Sequence, residues 1–202
     1  HGMLFNPIVW GNTELKNRIV MAPLTRLRST EPGDIPSELS KIYYAQRATA
    51  GLIVTEAAQV SVQAKGYAGA PGLYTDEQVT AWKEITEAVH AQGGKIAVQL
   101  WHTGLISHAS VQPEGLAPIS ASEVKLNSRT SLRDENGLPV RVETTPPRAA
   151  TIAELQQVIA DFAAATIRAQ EAGFDFIEIH GAHGYLLGQF MSANSNLRED
   201  EY

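Results

Sequence analysis

The sequence predicts an α/β fold built around a parallel sheet. Three observations support this prediction: four short apolar runs recur along the 202 residues, helical patterns separate them, and a glycine follows each helical pattern. Runs that are apolar at nearly every position are typical of strands buried on both faces, as in parallel sheets. Strands that alternate with helices indicate βαβ units with right-handed crossovers.

The four predicted strands are too short to be ordinary helices and are rich in β-branched or aromatic residues. They cover Arg18–Met21, Leu52–Val54, Lys95–Leu100 and Phe174–Ile179. Each of them is expected to be buried on both faces, because almost no polar residue interrupts it.

Two of the three helices between these strands begin at a capping box, Thr75–Gln78 and Thr151–Glu154. In a capping box the threonine side-chain oxygen accepts a hydrogen bond from the backbone amide three residues later. The side chain of that later residue in turn accepts a hydrogen bond from the backbone amide of the threonine. Gly93–Gly94 and Gly173 are placed to end these helices. The positions that share one face at helical spacing are Val79, Trp82, Thr86 and Val89 in the first, and Ile152, Leu155, Val158, Ile159, Phe162, Ala163 and Ile167 in the second.

The remaining helix is predicted over about residues 37–50, with Leu39, Ile42 and Tyr43 facing inward. Two further segments depart from the strand–helix alternation. Pro7–Leu15 predicts a hairpin that turns at Gly11-Asn12, a pair suited to a tight primed turn.

The other departure is an insertion over residues 103–150, which is rich in Ser, Pro and Gly. Long insertions of this kind are often functional. Within it, Leu132–Arg141 predicts a second hairpin, turning at Asn136-Gly137. We interpret residues 1–2 as the remnant of a purification tag and residues 3–202 as one domain.

Composition limits the classes of function. Hydrophobic residues make up 44% and charged residues 19% of the chain, as in a globular protein. The net charge of −6, with no basic run, argues against a nucleic-acid partner. The sequence contains no cysteine, which excludes disulfides and thiolate sites and fits a cytoplasmic location. No apolar run reaches roughly 18 residues, so no membrane span is expected.

Polar and aromatic residues follow all four predicted strands, in Ala22–Arg26, Glu56–Gln59, Gln99–Gly104 and His180–Tyr185. Ligands of parallel α/β folds bind at the carboxyl ends of the strands, where these segments meet. The sequence therefore predicts one site with a contribution from each strand. It contains no glycine-rich dinucleotide fingerprint and no P-loop pattern, so a Rossmann-type site is unsupported.

Taken singly, these residues have simpler interpretations. His180 and His183 are spaced to ligate zinc with His102 or His108, but the spacing matches no established metal motif. A lone strand-end histidine is more often a satisfied structural group. In the same way, Thr25 is suited to cap a turn.

Trp101 and Tyr67 are of a type that usually serves in the core. Gln99 is more informative than these aromatic residues, because an amide inside an apolar strand needs hydrogen-bond partners. Glu56 is assigned no functional role by the sequence.

Several spaced motifs, in this order, closely resemble the Old Yellow Enzyme family, and within it bacterial N-ethylmaleimide and nitrate-ester reductases. The motifs are NRIVMAPLTR (Asn17–Arg26), GLIVTEAAQV (Gly51–Val60), AKGYAGAPG (Ala64–Gly72), AVQLWHTG (Ala97–Gly104), SLRDENG (Ser131–Gly137) and HGAHGYLLGQF (His180–Phe190). The resemblance extends over residues 3–202. It implies a (β/α)8 barrel of the TIM type that binds FMN, of which this chain supplies about the first four βα units.

The resemblance also implies an activity and a set of partners. Such enzymes use NADH or NADPH to reduce activated C=C bonds in enones, maleimides and nitroalkenes, and nitro and nitrate-ester compounds are further substrate classes. In this family the N-terminal hairpin caps the bottom of the barrel, and the insertion after the third strand covers part of the active site.

Site residues are implied in the same way. Pro23 and Leu24 pack against the flavin, Thr25 bonds its carbonyl next to N5, and Ala57 and Gln99 contact it. Tyr67 and Trp101 line the substrate pocket. His180 and His183 hold the substrate oxygen as an oxyanion hole would, and Tyr185 donates the proton. No metal is implied.

This chain departs from the family pattern in two respects. Leu105 stands where the family usually has arginine, which removes a charge expected near the pocket mouth. In addition, an eight-stranded barrel typically needs about 250 residues. The last four strands, the arginine that faces flavin N1 and the phosphate-binding loops have no counterpart in the sequence.

Two hypotheses follow. In one, a second polypeptide that carries the C-terminal half completes a working flavoenzyme. In the other, the chain is a non-catalytic half-barrel scaffold that self-associates without flavin. A relation to dienoyl-CoA reductases is less favoured, because those proteins carry an iron–sulfur cluster and this sequence has no cysteine.

Overall fold

A computed structural model describes residues 2–202, and its elements alternate as the sequence predicts. His1, part of the interpreted tag remnant, lies outside the described residues. The strands are β1 (Ile8–Trp10), β2 (Thr13–Leu15), β3 (Val20–Met21), β4 (Leu52–Gln59), β5 (Ile96–Trp101), β6 (Ile119–Ser120), β7 (Arg129–Arg133), β8 (Pro139–Glu143), β9 (Arg148–Ala149) and β10 (Phe176–Ile179). The helices are α1 (Glu38–Ala45), α2 (Asp76–Ala91), α3 (Ile152–Glu171) and α4 (Leu186–Met191).

The main sheet has four parallel strands in the order β10-β5-β4-β3. Its two central strands, β4 and β5, are buried along their whole length. One face of the sheet packs against the helices, in a core that includes Ile53, Trp82 and Val98. The carboxyl ends of β4, β5 and β10 therefore open toward the same edge of the sheet.

The prediction that all four strands are buried on both faces is wrong for the two outer strands. In β3, Val20 is 46% exposed, and in β10, Ile179 is 58% exposed. Both strands lie at an edge of the sheet, where one side has no neighbouring strand among the described residues. α4, which follows β10, is only six residues long and packs near β6. Consequently it leaves the outer face of β10 uncovered.

Strand β4 is longer than predicted, because residues 56–59 continue it instead of following it. The pairing with β5 shifts register between Val54 and Ala57, as at a β-bulge, and then resumes through Gln59 opposite Trp101. The first strand is shorter than predicted and pairs only over Val20–Met21.

Both predicted capping boxes are confirmed. Thr75 Oγ1 accepts the amide of Gln78 at 3.2 Å, and Thr151 Oγ1 accepts that of Glu154 at 3.1 Å. Gly173 adopts φ +87°, a left-handed conformation that ends α3 at little steric cost.

The residues of α3 that face the core are not all those predicted from the apolar spacing. Ile159 and Ile167 are each 59% exposed, whereas Ala165 and Ala169 are fully buried. Alanines on the inner face let the helix lie close to the sheet, so the larger isoleucines occupy the outer side.

α1 departs from its prediction in both length and face. It ends at Ala45, and turns follow it up to Gly51. Leu39 and Ile42 are exposed, while Tyr44 is 1% exposed. Because the amide of Glu56 in β4 donates to the Tyr44 hydroxyl at 2.9 Å, Tyr44 is drawn into the core and the helix turns its Leu39 face outward.

The N-terminal hairpin is confirmed, with β1 antiparallel to β2 and Gly11 in a left-handed conformation at the turn. Its Leu15 is buried against Leu52, Ala97 and Phe176, which are the first or second residues of three strands of the main sheet. The hairpin therefore covers the amino ends of these strands, as the resemblance implies.

The second hairpin, β7–β8, is also confirmed, and its turn contains Gly137 at φ +75°. It docks on the loop after β4: the amide of Ala68 donates to the carbonyl of Ser131 at 3.0 Å, and Thr130 donates to the carbonyl of Gly66. The insertion thus contacts the loop that carries Tyr67. Across residues 2–202, no helix combines the length and apolar character that a membrane crossing requires.

Candidate active site at the carboxyl ends of the strands

Most of the predicted site residues lie together at the carboxyl ends of β4, β5 and β10. Trp101 is the last residue of β5, Tyr67 lies in the loop after β4, and His180 and Tyr185 follow β10. An apolar cluster joins several of these elements. It consists of Ala57, Ala70, Trp101, Leu27, Tyr67 and Tyr185.

Trp101 lies between two nearly parallel rings. Its centroid is 5.5 Å from that of Tyr67 and 5.9 Å from that of His180, with interplanar angles of 8° and 9°. The Trp101 indole nitrogen is buried, and no described residue accepts its hydrogen bond. A buried donor without a partner is uncommon in proteins and is often found at functional sites.

Tyr185 and Tyr67 share a hydrogen bond of 2.9 Å between their hydroxyls. The Tyr185 ring also stands edge-on to Trp101, with centroids 4.7 Å apart. Burial, reinforced by the Tyr67 bond, raises the pKa of the Tyr185 phenol well above its usual value of 10. Tyr185 therefore keeps its proton at neutral pH.

The ring of His180 is fixed in orientation and in tautomer. Its Nδ1 accepts the amide of Ala182 at 3.2 Å, so the ring proton of the neutral imidazole resides on Nε2. Burial, together with the neighbouring His183, lowers the His180 pKa below its usual 6.5. The neutral ring is then a hydrogen-bond donor through Nε2.

His183 stands beside this ring, with its centroid 5.3 Å from that of His180. It adopts φ +60°, a left-handed conformation that is uncommon for residues other than glycine. Such conformations persist where the surrounding structure imposes them, and they are frequent at binding sites.

A row of three side chains crosses the sheet below the aromatic cluster. Ala57, Gln99 and Glu178 are in register on β4, β5 and β10. Gln99 Nε2 donates to Glu178 Oε2 at 2.8 Å. Since a carboxylate only accepts, this bond fixes the orientation of the Gln99 amide and leaves its oxygen available to an N–H donor.

Pro23, Leu24 and Thr25 lie on the segment after β3, beside β4, and are not among the residues of the aromatic cluster. Leu24 is 50% exposed, and the Thr25 hydroxyl is bonded to no described residue. Leu27, two residues further on, is the part of this segment that packs against the aromatic cluster.

Gln189 on α4 connects the loops after β5 and β10. Its amide nitrogen donates to the carbonyls of Thr103 and Gly184, at 3.1 and 2.9 Å, and its oxygen accepts the amide of Leu105 at 3.1 Å. A Cβ at Gly104 would lie 2.1 Å from this amide oxygen, and Gly104 has φ +59°, so any other residue would displace Gln189 and strain the backbone.

Position 105 differs from its prediction. We expected it near the mouth of the pocket, but the Leu105 side chain is only 1% exposed. The loop turns inward at Gly104 and buries the residue that follows.

The zinc interpretation finds no support in the geometry. Burial lowers the pKa of His102 to about 3, and its Nδ1 accepts the amide of Gly104. His108 Nδ1 is engaged with Ser110 in the insertion. Within residues 2–202, no group of three His, Cys, Asp or Glu residues is arranged to hold a metal ion.

Three residues of this region were not predicted from the sequence. Glu178 orients Gln99. A charged residue inside the otherwise apolar run Phe176–Ile179 could have indicated a polar role for it. Gln189 had no such signal. Arg141 on β8 is close enough to counteract the rise in the Tyr185 pKa, and its position depends on how the insertion folds.

Comparisons with known proteins agree with this architecture. Residues 3–202 match the model of the NADH:flavin oxidoreductase / NADH oxidase family. The chain is 44% identical over 200 residues to 12-oxophytodienoate reductase 1 of Oryza sativa subsp. japonica. The aligned region covers 98% of this chain and 50% of that relative. It is 42% identical over 203 residues to the flavin oxidoreductase hxnT of Emericella nidulans, with coverage of 98% and 50%.

Solved structures give the same result. Morphinone reductase in complex with tetrahydroNAD superposes with a TM-score of 0.94 at 43% identity, over 100% of this chain and 55% of that one. The old yellow enzyme homologue from Zymomonas mobilis superposes with a TM-score of 0.90 at 40% identity, over 98% of this chain and 54% of that one. The predicted barrel-type fold is thereby confirmed, and the chain spans about half the length of the curated relatives it matches. The chain belongs to the NADH:flavin oxidoreductase / NADH oxidase family.

Proposed function

We propose that this chain forms the N-terminal half of an FMN-dependent NAD(P)H alkene reductase, which acts on C=C bonds conjugated to a carbonyl or nitro group. The observation that carries the proposal is the pairing of a histidine fixed as an N–H donor, His180, with a protonated phenol, Tyr185, at one edge of a parallel sheet. The family and the relatives support the redox class. The cytoplasmic location stays a prediction from the cysteine-free sequence.

The donor set of this chain fits FMN. The Gln99 amide oxygen is free to accept, since its nitrogen is held by Glu178, and the imide N–H of a flavin is a suitable donor. The Thr25 hydroxyl is free among the described residues to donate to a flavin carbonyl, and Ala57 offers only a methyl group beside Gln99. When bound, FMN supplies the exchange of hydride with the nicotinamide and with the alkene.

His180 and His183 would bind the carbonyl or nitro oxygen of the substrate. Negative charge develops on this oxygen as hydride reaches the β-carbon, so N–H donors already in place stabilise the charged state more than the substrate. The bond from the Ala182 amide holds His180 in the donor tautomer without further rearrangement.

Tyr185 would deliver the proton to the α-carbon. Its raised pKa keeps the phenol protonated at neutral pH, and the 2.9 Å bond to Tyr67 fixes the hydroxyl. A positioned acid contributes typically about 10²–10⁴-fold to a rate.

We further propose that a second polypeptide, or a second copy of this chain, covers the exposed strands. β3 and β10 are unpaired on one side among the described residues, and the apolar Ile177 and Ile179 of β10 are 37% and 58% exposed. Unpaired edges and exposed apolar faces favour association. The alternative is a non-catalytic half-barrel scaffold that self-associates without flavin, and the same surface is compatible with it.

The first test is the visible spectrum of the purified protein, recorded with its native mass. We expect flavin bound at one per active site, in an assembly larger than one chain.

Titration with FMN should give a dissociation constant about tenfold higher for Gln99→Leu, because one hydrogen bond is lost. Gln157→Leu, an exposed glutamine on α3, is the matched control and should bind as the parent does. A protein that stays colourless with excess FMN would contradict the proposal and favour the scaffold.

His180→Ala should weaken binding of a phenolic or enone ligand to the FMN-loaded protein by about tenfold, since one N–H donor to the ligand oxygen is removed. Spectral titration of the flavin band measures this affinity. His90→Ala, on the helix side of the sheet, is the control. Unchanged affinity in His180→Ala would remove this residue from the oxygen site.

A further inference from the structure

Glu56 is a buried carboxyl group that the mechanism above does not use. It lies in the middle of β4, next to Ala57, and is 4% exposed. It lies within the register shift of the β4–β5 pairing, between Val54 and Ala57. A carboxylate at such a position is unfavourable unless it is hydrogen-bonded.

The Glu56 carboxylate meets the backbone of the segment after β3. Its Oε1 accepts the amide of Arg26 at 3.2 Å, and the amide of Leu27 lies close enough to favour the charged carboxylate. The groups with charge or titratable protons near it are the Arg26 guanidinium, 4.9 Å from the Tyr43 ring centroid, and the buried Tyr44 phenol on α1.

The segment that Glu56 binds is strained. Leu27 adopts φ +57°, a left-handed conformation that is unfavourable for a residue other than glycine and needs support from its surroundings. On the other side of the same residue, Arg133 of the insertion donates to the carbonyl of Leu27 at 3.1 Å. Two side chains distant in sequence, Glu56 and Arg133, thus bond to the backbone of neighbouring residues in this turn.

This turn joins both parts of the candidate site. The Leu27 side chain packs into the cluster with Trp101 and Tyr185, and Thr25 directly precedes Arg26. We propose that Glu56 is a positioning residue: its carboxylate holds the Arg26–Leu27 turn and thereby determines where the Thr25 hydroxyl stands toward the flavin. The part that concerns flavin rests on the proposed function, and the part that concerns the turn does not.

Ionisation of Glu56 gives the proposal a distinct pH dependence. Burial raises the pKa of Glu56 to about 7, although the amides of Arg26 and Leu27 and the Arg26 charge oppose the rise. Protonation removes the negative charge and turns one carboxylate oxygen into a hydroxyl, so the bond from the Arg26 amide weakens. The turn should therefore become better ordered as the pH rises through 7.

Global stability should respond in the opposite direction. The pKa of Glu56 in the folded chain lies above its ordinary value of 4.5, so its contribution to the free energy of unfolding is full below pH 4.5 and is lost as the pH rises through 7. As the pH rises, the Arg26–Leu27 turn should therefore become more ordered while the free energy of unfolding falls. A residue with only a general structural role would change both in the same direction.

The test measures amide hydrogen exchange and amide NMR shifts in the full chain, without flavin. At pH 8, the amides of Arg26 and Leu27 should exchange at least about tenfold faster in Glu56→Gln, because a neutral amide oxygen is a weaker acceptor than a carboxylate. Glu87→Gln on α2, an exposed site with the same change of charge, should leave both amides unchanged.

In the unmodified chain, the shifts of these two amides should titrate with a midpoint near pH 7, a measurement that needs no variant. Unchanged exchange in Glu56→Gln, or two amide shifts that are flat between pH 5 and 9, would overturn the proposal.

The flavin part is tested in the FMN-loaded protein. Glu56→Gln should change the ratio of affinities for oxidised and reduced flavin by about tenfold, which corresponds to about 30 mV in the two-electron potential. Glu87→Gln should leave the potential unchanged. A potential that does not move while the two amides respond would overturn the Thr25 part. Failure to bind FMN at all would contradict the proposed function, while the amide measurements would still decide the role of Glu56 in the turn.

Discussion

Replacing Tyr185 with Phe should slow reoxidation of the reduced flavoprotein by an enone by about 10²–10⁴-fold, the usual contribution of a positioned acid. Reduction by NAD(P)H should proceed at nearly its original rate, because that step requires no proton from this phenol. The substitution keeps the ring that packs edge-on to Trp101 and removes only the hydroxyl. Stopped-flow absorbance of the flavin in each half-reaction, with the barrel completed, measures both rates.

Tyr67→Phe is the matched control for this change. It also deletes one hydroxyl and breaks the same 2.9 Å bond, but it leaves the phenol of Tyr185 in place. Its effect on reoxidation should therefore be much smaller. Equal losses in both half-reactions of Tyr185→Phe would mean that Tyr185 supports the binding of flavin or nicotinamide rather than proton transfer.

The sequence predicted correctly those features that depend on residues close together along the chain. The capping boxes at Thr75 and Thr151 form because all their atoms lie within one helical turn. The left-handed turns at Gly11 and Gly137 are likewise local. The grouping of His180 and Trp101 at one edge follows from a general rule of parallel sheets, that consecutive strand ends meet.

Features that depend on distant partners were predicted less well. The inward face of α1 is determined by Tyr44, whose hydroxyl meets the amide of Glu56 in β4, and no periodicity within the helix reveals this bond. Exposure of Val20 and Ile179 likewise depends on which elements lie beside the sheet edges, and not on the strands' own composition.

The chemical state of the site is also a product of distant contacts. Glu178 orients Gln99 from another strand, and Gln189 connects the loops after β5 and β10. Leu105 is buried because the loop turns at Gly104 around that glutamine. Residue types indicated where the site lies, whereas the direction of each hydrogen bond required the tertiary structure.

Trp82→Ala should strongly lower the free energy of unfolding. Trp82 is fully buried in α2, against the helix face of the sheet, with its ring centroid 5.5 Å from that of Phe174. Removing a buried tryptophan side chain typically costs about 3–5 kcal/mol. The indole also donates to the carbonyl of Gly72 at 3.0 Å, and leaving that acceptor without a partner adds about 1–3 kcal/mol.

Urea denaturation measures this loss as a fall in the midpoint at constant slope. Trp82→Phe restores most of the apolar volume but not the hydrogen bond, so it should recover part of the stability and separate the two contributions. Trp10→Ala is the matched control, because this tryptophan is 54% exposed and its ring centroid lies 5.6 Å from that of Phe176. Equal shifts for Trp82→Ala and Trp10→Ala would mean that the helix face of the sheet is not the main core. In that case stability would depend on the amino ends of the strands, which the N-terminal hairpin covers.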